Sequence, residues 1–245
     1  MNYLEQKTAL VTGAGRGIGR AIAVALGARG VRVCCVSRTK SEVAESVHEI
    51  ERDGGRGIAV TANVTREREL QDAFAAAREA FGAVHIVIAN AGTNLDRNPI
   101  ESSCTADFVA TVEVNLIGAY LTVKTAIPYL RDSGGGHIVS VGSGLGLKGT
   151  AGTGAYACSK AGLHIMTQVL SEEVKPLGIA VNELIPGPVR TELTRPVWDR
   201  SDYVFQTSEW IKEPHELTPL LLTLLAMDPS RSPTGQTFSL MARVV

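Results

Sequence analysis

An excess of charge of either sign is missing from this 245-residue chain, whose formal net charge is -1 at pH 7. Without a positive surplus there is no electrostatic footprint for neutralising phosphates, so nucleic acid is not an expected partner. The longest apolar stretches read as strand-sized, short of the roughly 20 residues that cross a bilayer, and no membrane association is expected. The opening Met1 to Lys7 has no basic start followed by an apolar run, which predicts no signal peptide and a cytoplasmic protein. Cysteine is scarce. Cys34, Cys35, Cys104 and Cys158 show no C-x-x-C spacing, and they read as reduced thiols packed inside strands and helices. The five histidines have neither H-E-x-x-H nor clustered spacing, so no metal site is predicted. Linkers, repeats and low-complexity segments are also absent, which leaves one domain over residues 1–245 as the economical reading.

What the chain does have is 44% hydrophobic residues in a regular rhythm. Apolar runs at Lys7 to Thr12, Val31 to Val36, Ile58 to Ala62, Val84 to Ala89, His137 to Val141, Ile179 to Leu184 and Thr237 to Leu240 predict about seven strands. Between them, helices are predicted over Ala21 to Arg29, Ser41 to Arg52 (capped by Ser41), Arg66 to Phe81, Thr105 to Leu130, Gly154 to Val174 and Glu216 to Met227. The strands are apolar at consecutive positions and so buried on both faces, which requires a parallel sheet with helices on each side. The expected fold class is α/β, a doubly wound Rossmann-type domain. Only Pro186 to Pro214 breaks the rhythm. An irregular segment after a late strand lies near the carboxyl edge of such a sheet, so residues of about 187–214 are a candidate substrate lid, with Trp198, Tyr203, Phe205 and Trp210 to shape it or to pack elsewhere.

Thr12-Gly13-Ala14-Gly15-Arg16-Gly17-Ile18-Gly19 follows the first strand and opens the first helix. Gly13 suits the tight turn, Gly17 lets a pyrophosphate approach the backbone, and Gly19 lets the helix pack on the strand, while the helix N-terminus supplies oriented amides. At the end of the second strand, where NAD-binding folds usually carry an acid for the ribose 2′-hydroxyl, this chain has Ser37-Arg38. Arg16 and Arg38 could hold a 2′-phosphate through charge-assisted bonds, and the predicted cofactor is therefore NADP(H).

Tyr156 and Lys160, four apart on a predicted helix, share one face. An unperturbed tyrosine titrates near pH ~10, and a neighbouring ammonium favours its phenolate, which suits Tyr156 to acid/base work on a carbonyl or alcohol. Ser143 lies at the end of the preceding strand; Ser140 is a rival serine but falls inside that strand.

Taken in order, TGAGRGIG, Asn63-Val64, Asn90-Ala91-Gly92, Asn115, Ser143, Tyr156-Ala157-Cys158-Ser159-Lys160 and Pro186-Gly187-Pro188-Val189-Arg190-Thr191 resemble the short-chain dehydrogenase/reductase family, from about Lys7 to Gln236, and most of all its 3-oxoacyl-[acyl-carrier-protein] reductase branch. The resemblance implies that Ser143 binds the substrate carbonyl, that Tyr156 is the acid/base, and that Lys160 binds the nicotinamide ribose while depressing the tyrosine pKa. It implies that Asn115 holds a water linking Lys160 to solvent. Asn63 would meet the adenine, Asn90 to Gly92 would support the sheet edge beside the cofactor, and Pro186 to Val189 with Thr191 would close over the nicotinamide. It also implies a homodimer or homotetramer paired through the two long helices.

The chain departs from the family in four places. Gly142-Ser143 replaces the usual serine pair, Ala89-Asn90-Ala91-Gly92 replaces the usual Asn-Asn-Ala-Gly, Glu172-Glu173 stands where carrier-protein reductases tend to be basic, and the Ser239 to Val245 end lacks the usual Asp-Gly-Gly. The last two departures favour a free small-molecule ketone or alcohol as substrate over an acyl-carrier thioester. A non-catalytic NADP(H)-binding regulator is the reading from another class; the presence of both Tyr156 and Lys160 speaks against it.

Overall fold

The computed structural model describes residues 3–195 and 210–241. Its strands are β1 (Thr8–Thr12), β2 (Arg32–Ser37), β3 (Arg56–Thr61), β4 (Ile86–Ala89), β5 (Gly136–Val141), β6 (Ile179–Ile185) and β7 (Thr237–Ser239). All seven join one sheet in the order β3-β2-β1-β4-β5-β6-β7, and every neighbouring pair is parallel. Helices α1 (Gly17–Gly27), α2 (Lys40–Arg52) and α7 (Thr218–Leu225) pack on one face. On the other lie α3 (Glu67–Phe81), α5 (Gly118–Asp132), which α4 (Thr105–Val112) leads into, and α6 (Gly154–Val174). The doubly wound fold expected from the sequence is the fold observed.

Side chains alternate across a strand, so an apolar run divides between two cores. Ala9 and Val11 of β1, with Ile86 and Ile88 of β4, meet Ile22 and Leu26 of α1. Leu10, Val87 and Ala89 point the other way, to Phe74 of α3 and Val123 of α5. Burial on both faces belongs to the central strands: β1, β4, β5 and β6 are buried at every position. The edge strands differ, with β3 exposed at Arg56, Ala59 and Thr61 and β7 exposed at both ends.

Several local expectations need correction. Helix α1 starts at Gly17, because the end of the glycine loop is already helical. Ser41 does not cap α2, which begins at Lys40 behind Thr39 without a side-chain cap; the turn is set instead by Ser37 Oγ, which accepts from the Thr39 amide at 3.3 Å. The predicted helix 216–227 opens as a 3₁₀ turn, Pro214–Leu217, before α7. Cys34 and Cys35 are packed in β2 as expected, but Cys104 and Cys158 are exposed.

The long helix from Thr105 runs to Asp132 but passes through a π-turn, Glu113–Ile117, where the Gly118 amide bonds the Glu113 carbonyl five residues back. This 28-residue run, with a mean hydropathy of 1.3 in its most apolar stretch, is long and apolar enough to cross a membrane, contrary to the strand-sized expectation. Its apolar residues Val123, Ala126 and Leu130 are instead buried against the sheet.

Strand order reverses between β1 and β4, so the loops leaving these two neighbours diverge and open a crevice at their carboxyl ends. Asn90, just past β4, secures this point: its amide donates to Thr12 Oγ1 at 3.1 Å, and its Nδ2 to the carbonyls of Thr12 and Gly13 at 2.9 and 3.2 Å.

Candidate active site

A cleft of about 400 Å³ opens at the switch point. The glycine loop forms its floor. Ala14 donates to the Val36 carbonyl at 3.1 Å, and the Ala14 carbonyl accepts from buried Ser46 Oγ at 2.7 Å. Arg20 reaches back from α1 to the Gly15 carbonyl, with its Nη2 at 2.6 Å. The loop is thus held before any ligand arrives. Gly17 has φ +57, in the left-handed region that favours glycine, and a Cβ on Gly19 would strike the Gly13 carbonyl. The first turn of α1 carries no acid and no side-chain cap, so its amides remain available for an anion. These features fit a dinucleotide pyrophosphate.

Gly13, Gly15, Arg16, Gly17, Ile18 and Gly19 all line the cleft. At one end it is walled by Ser37, Arg38, Asn63 and Val64, and along its side by Asn90, Ala91 and Gly92. Asn63 is held in a short turn, its Oδ1 accepting from the Thr65 amide at 3.1 Å and its own amide donating to Glu69 Oε2 at 2.7 Å. Tyr156, Lys160, Pro186 and Thr191 complete the far end. Gly187, Val189, Ser143 and Asn115 lie outside the lining: Val189 is buried and pairs with Lys212 in a single parallel bridge, and a Cβ on Gly187 would come within 3.2 Å of Lys212 Nζ. Of the lid aromatics, Trp198, Tyr203 and Phe205 fall outside the described residues; Trp210 is 53% exposed, with Lys212 Nζ 4.6 Å from its ring centroid.

Helix α6 presents Tyr156 and Lys160 one turn apart towards the end of β5. Lys160 is buried; its Nζ donates to the Val141 carbonyl at 2.7 Å and lies 5.8 Å from the Tyr156 ring centroid. Burial pulls the lysine pKa from 10.5 down to about 8, against the opposing charge of Glu183. Ser143 begins a 3₁₀ turn after β5, its Oγ accepting from the Leu145 amide at 3.2 Å, and its hydroxyl also reaches the Tyr156 phenol. The rival Ser140 is buried and accepts a hydrogen bond from Thr167, away from the tyrosine.

The electrostatics of the tyrosine differ from the sequence expectation. Burial holds the Tyr156 pKa above its ordinary value, opposed by the Ser143 hydrogen bond and the Arg97 guanidinium. Desolvation of the phenol outweighs both of these neighbours. Asn115 is tied into the protein by its side-chain amide. Its Nδ2 donates to the Thr93 carbonyl at 2.9 Å and Ser159 Oγ at 3.0 Å, while its Oδ1 accepts from the Thr93 amide at 2.7 Å. The side chain therefore clamps the loop after β4 to α6.

A family model described as short chain dehydrogenase matches residues 7–202. The chain belongs to the short-chain dehydrogenase family. It is 39% identical, over 78% of its length and 75% of the relative's, to an NADPH-dependent aldehyde reductase-like protein, chloroplastic, of Arabidopsis thaliana. It is 32% identical to a 3-oxoacyl-[acyl-carrier-protein] reductase of Synechocystis sp., covering 98% of this chain and 97% of that one. Among solved structures it is similar to levodione reductase, with a TM-score of 0.90 at 25% identity over 97% and 96% of the two chains. The family is one of oxidoreductases that use nicotinamide cofactors and act on small molecules.

In this short-chain dehydrogenase the cleft also holds residues that sequence reasoning missed. Glu42, in the first turn of α2, pairs with Arg16 at 3.6 Å. It could have been found by noting that a helix following Ser37-Arg38 turns its first residues back towards the strand end. Arg97, whose Nη2 donates to the Leu193 carbonyl at 2.7 Å, ties the loop after β4 to the chain beyond Thr191. No motif marks it. Metal-binding groupings are absent among the described residues.

Proposed function

We propose that this protein is an NADP(H)-dependent ketone or aldehyde reductase, reversible as a secondary-alcohol dehydrogenase, with Tyr156 as its acid/base. One observation carries the reading. Tyr156, with Ser143 bonded to it from just outside the lining, and Lys160 stand at one end of a cleft whose other end is a glycine loop with available helix amides.

Gly13 to Gly19 and the N-terminus of α1 would hold the pyrophosphate, Lys160 the nicotinamide ribose, and Arg16 with Arg38 a 2′-phosphate. When bound, the dinucleotide supplies or accepts the hydride. Ser143 and Tyr156, already within hydrogen-bonding reach of one another, can both donate to a single carbonyl oxygen. The Tyr156 hydroxyl then gives its proton as that oxygen becomes an alkoxide. Its raised pKa suits the acid role, because the phenol stays protonated near neutrality until a stronger base forms beside it. Asn115 keeps the loop wall fixed against α6. The buried position of Lys160 next to the phenol provides the cation that favours the tyrosinate in the reverse direction.

The Synechocystis relative supports a second reading, reduction of 3-oxoacyl thioesters on a carrier protein. Glu172 and Glu173 speak against it, since both are exposed on α6 and would repel an acidic carrier. A homodimer or homotetramer is also part of this reading: Ile117, Tyr120, Ile165 and Val169 of the long helices are large, apolar and exposed.

The test is consumption of NADPH and NADH over cyclic ketones, aromatic ketones and 3-oxoacyl thioesters, with Tyr156→Phe in parallel. We expect NADPH turnover that the variant lowers by about 10²- to 10⁴-fold while still binding NADPH. Tight NADPH binding without turnover on any compound would replace this reading with that of a non-catalytic regulator.

A further inference from the structure

Glu183 is a buried acid that the proposed chemistry does not use. It sits in the middle of β6, 1% exposed, on the face covered by α6. A carboxylate so placed is costly unless it is bonded and paired. Here Oε2 meets His164 Nδ1 at 2.7 Å and accepts from Thr237 Oγ1 at 3.0 Å. His164 stands one turn of α6 beyond Lys160 and keeps its side chain 20% exposed, so the pair reaches from the sheet to the surface. On the strand beside it, Gly142 makes the room: a Cβ there would collide with Glu183 Oε1 and lie 2.6 Å from its Cδ. Gly142 stands where the resemblance leads one to expect a serine, and the glycine and the glutamate are thus sterically matched.

We propose that Glu183 is a positioning residue that keeps Lys160 in its ammonium form, its carboxylate held in place by His164, Thr237 and the space at Gly142. Lys160 lies on the same side of the sheet, buried, and its Nζ donates to the neutral Val141 carbonyl, its hydrogen-bond partner among the described residues. The surrounding charges leave that role to Glu183. From its own helix the lysine faces Tyr156 and His164. Arg97, on the loop after β4, is a second cation and would discharge the lysine rather than support it. The π-turn directs neutral Asn115 inward and Glu113 out to solvent. On β5, His137 is remote, bonded to the Met227 carbonyl at the far end of the strand. Burial lowers the lysine and Glu183 is the charge that opposes it, in keeping with this geometry.

The test reads Lys160 directly and so stands apart from the proposed activity. The intact chain is labelled with ¹³C at lysine Cε, the Lys160 resonance is assigned by its loss in Lys160→Met, and its titration is followed without cofactor. Wild type should titrate near pH 8, and Glu183→Gln at least one pH unit lower, a tenfold loss of proton affinity. His164→Asn breaks the same contact but leaves the carboxylate charge, and should move the midpoint by less than half as much. If Glu183→Gln does not fold, His164→Lys sets a permanent cation against the carboxylate and should lower the midpoint in the same sense. An unmoved midpoint in Glu183→Gln, or in His164→Lys where that must replace it, overturns the proposal; equal shifts in Glu183→Gln and His164→Asn also overturn it, since they mean packing. As a functional readout, the alkaline limb of kcat/KM for NADPH-dependent reduction of the best ketone in the panel should move to lower pH in Glu183→Gln. Removing a negative charge makes both Lys160 and Tyr156 easier to deprotonate, so the direction is the same whichever group sets the limb. This limb rests on the reductase reading. If wild type reduces nothing, that reading fails while the NMR result still decides the role of Glu183.

Discussion

Glu42→Gln should tighten NADPH binding and leave NADH binding nearly unchanged. Glu42 Oε1 lies 3.6 Å from Arg16 Nη1 at the cleft end assigned to a 2′-phosphate, with the two side chains 31% and 64% exposed. Arg16 must leave this partner to meet the phosphate, so the pair's own stability is subtracted from NADPH affinity and not from NADH affinity. Ion pairs this exposed are screened, and contribute about 0.2–1 kcal/mol. At 1.4 kcal/mol per tenfold, losing the pair corresponds to roughly 1.4- to 5-fold tighter NADPH. Removing the carboxylate's repulsion of a phosphate dianion acts in the same direction, which places the expectation at the upper end of that range. The assay is titration of nucleotide fluorescence with wild type and variant, at about 0.05 and 0.5 M salt, where screening should shrink the difference. Parallel gains for NADPH and NADH, or none for either, would refute the reasoning. A wild type that prefers NADH, with NADH weakened by the substitution, would instead make Glu42 the acceptor of a ribose hydroxyl and end the NADP(H) reading.

Arg38→Ala should weaken NADPH by roughly tenfold, a charge-assisted bond of about 1.5 kcal/mol, and spare NADH; equal loss of both nucleotides in the same titration would count against a phosphate contact. Phe74→Ala, in the packed core between α3, α5 and the sheet, should cost about 3–5 kcal/mol in denaturant unfolding, and a loss below 1 would contradict the packing described. Acid should destabilise the fold through His85, whose neutral Nδ1 accepts from the Thr8 amide at 3.2 Å and whose pKa is lowered to about 4 by burial, Lys7 and Arg32. A lowered histidine favours the fold fully above its unfolded pKa of about 6.5, and that contribution, reduced by solvent screening at this partly exposed side chain, is lost as pH falls from there towards 4. His85→Gln should flatten the drop in Tm between pH 7 and 4.5, and an unchanged slope would assign the acid loss elsewhere. Finally, Val169→Lys, at an exposed apolar site on α6, should reduce the mass seen by light scattering to that of a smaller assembly; a wild type that is already monomeric would remove the oligomer from the proposed function.

Much of the framework was decided by the sequence alone, because its signals are local. Apolar runs of strand length alternating with helical stretches leave little besides a parallel, doubly wound sheet. Glycines between β1 and α1 mark a backbone that no side chain may crowd, and a four-residue spacing places Tyr156 and Lys160 on one helical face whatever the rest of the chain does. What the tertiary structure decided are properties that depend on residues distant in sequence. Ser41 yielded its capping role to the turn at Ser37 and Thr39, and the long helix acquired a π-turn where Asn115 clamps Thr93 to Ser159. Arg16, which by spacing alone reads as a free phosphate ligand, is met by Glu42 from another helix. The sign of the tyrosine shift was not legible either. It depends on how far Tyr156 is desolvated and on the Ser143 hydroxyl and Arg97 guanidinium that oppose this, and these come together only through the packing of α6. Glu183 is the clearest case: in sequence it is one acid in an apolar strand, and only the alignment of β6 beside Gly142 and beneath His164 and Lys160 makes it a buried charge with a partner. Periodicity and spacing travel along the chain and can be read from it, whereas electrostatic environment is a property of volume, and exists only once the chain has closed around it.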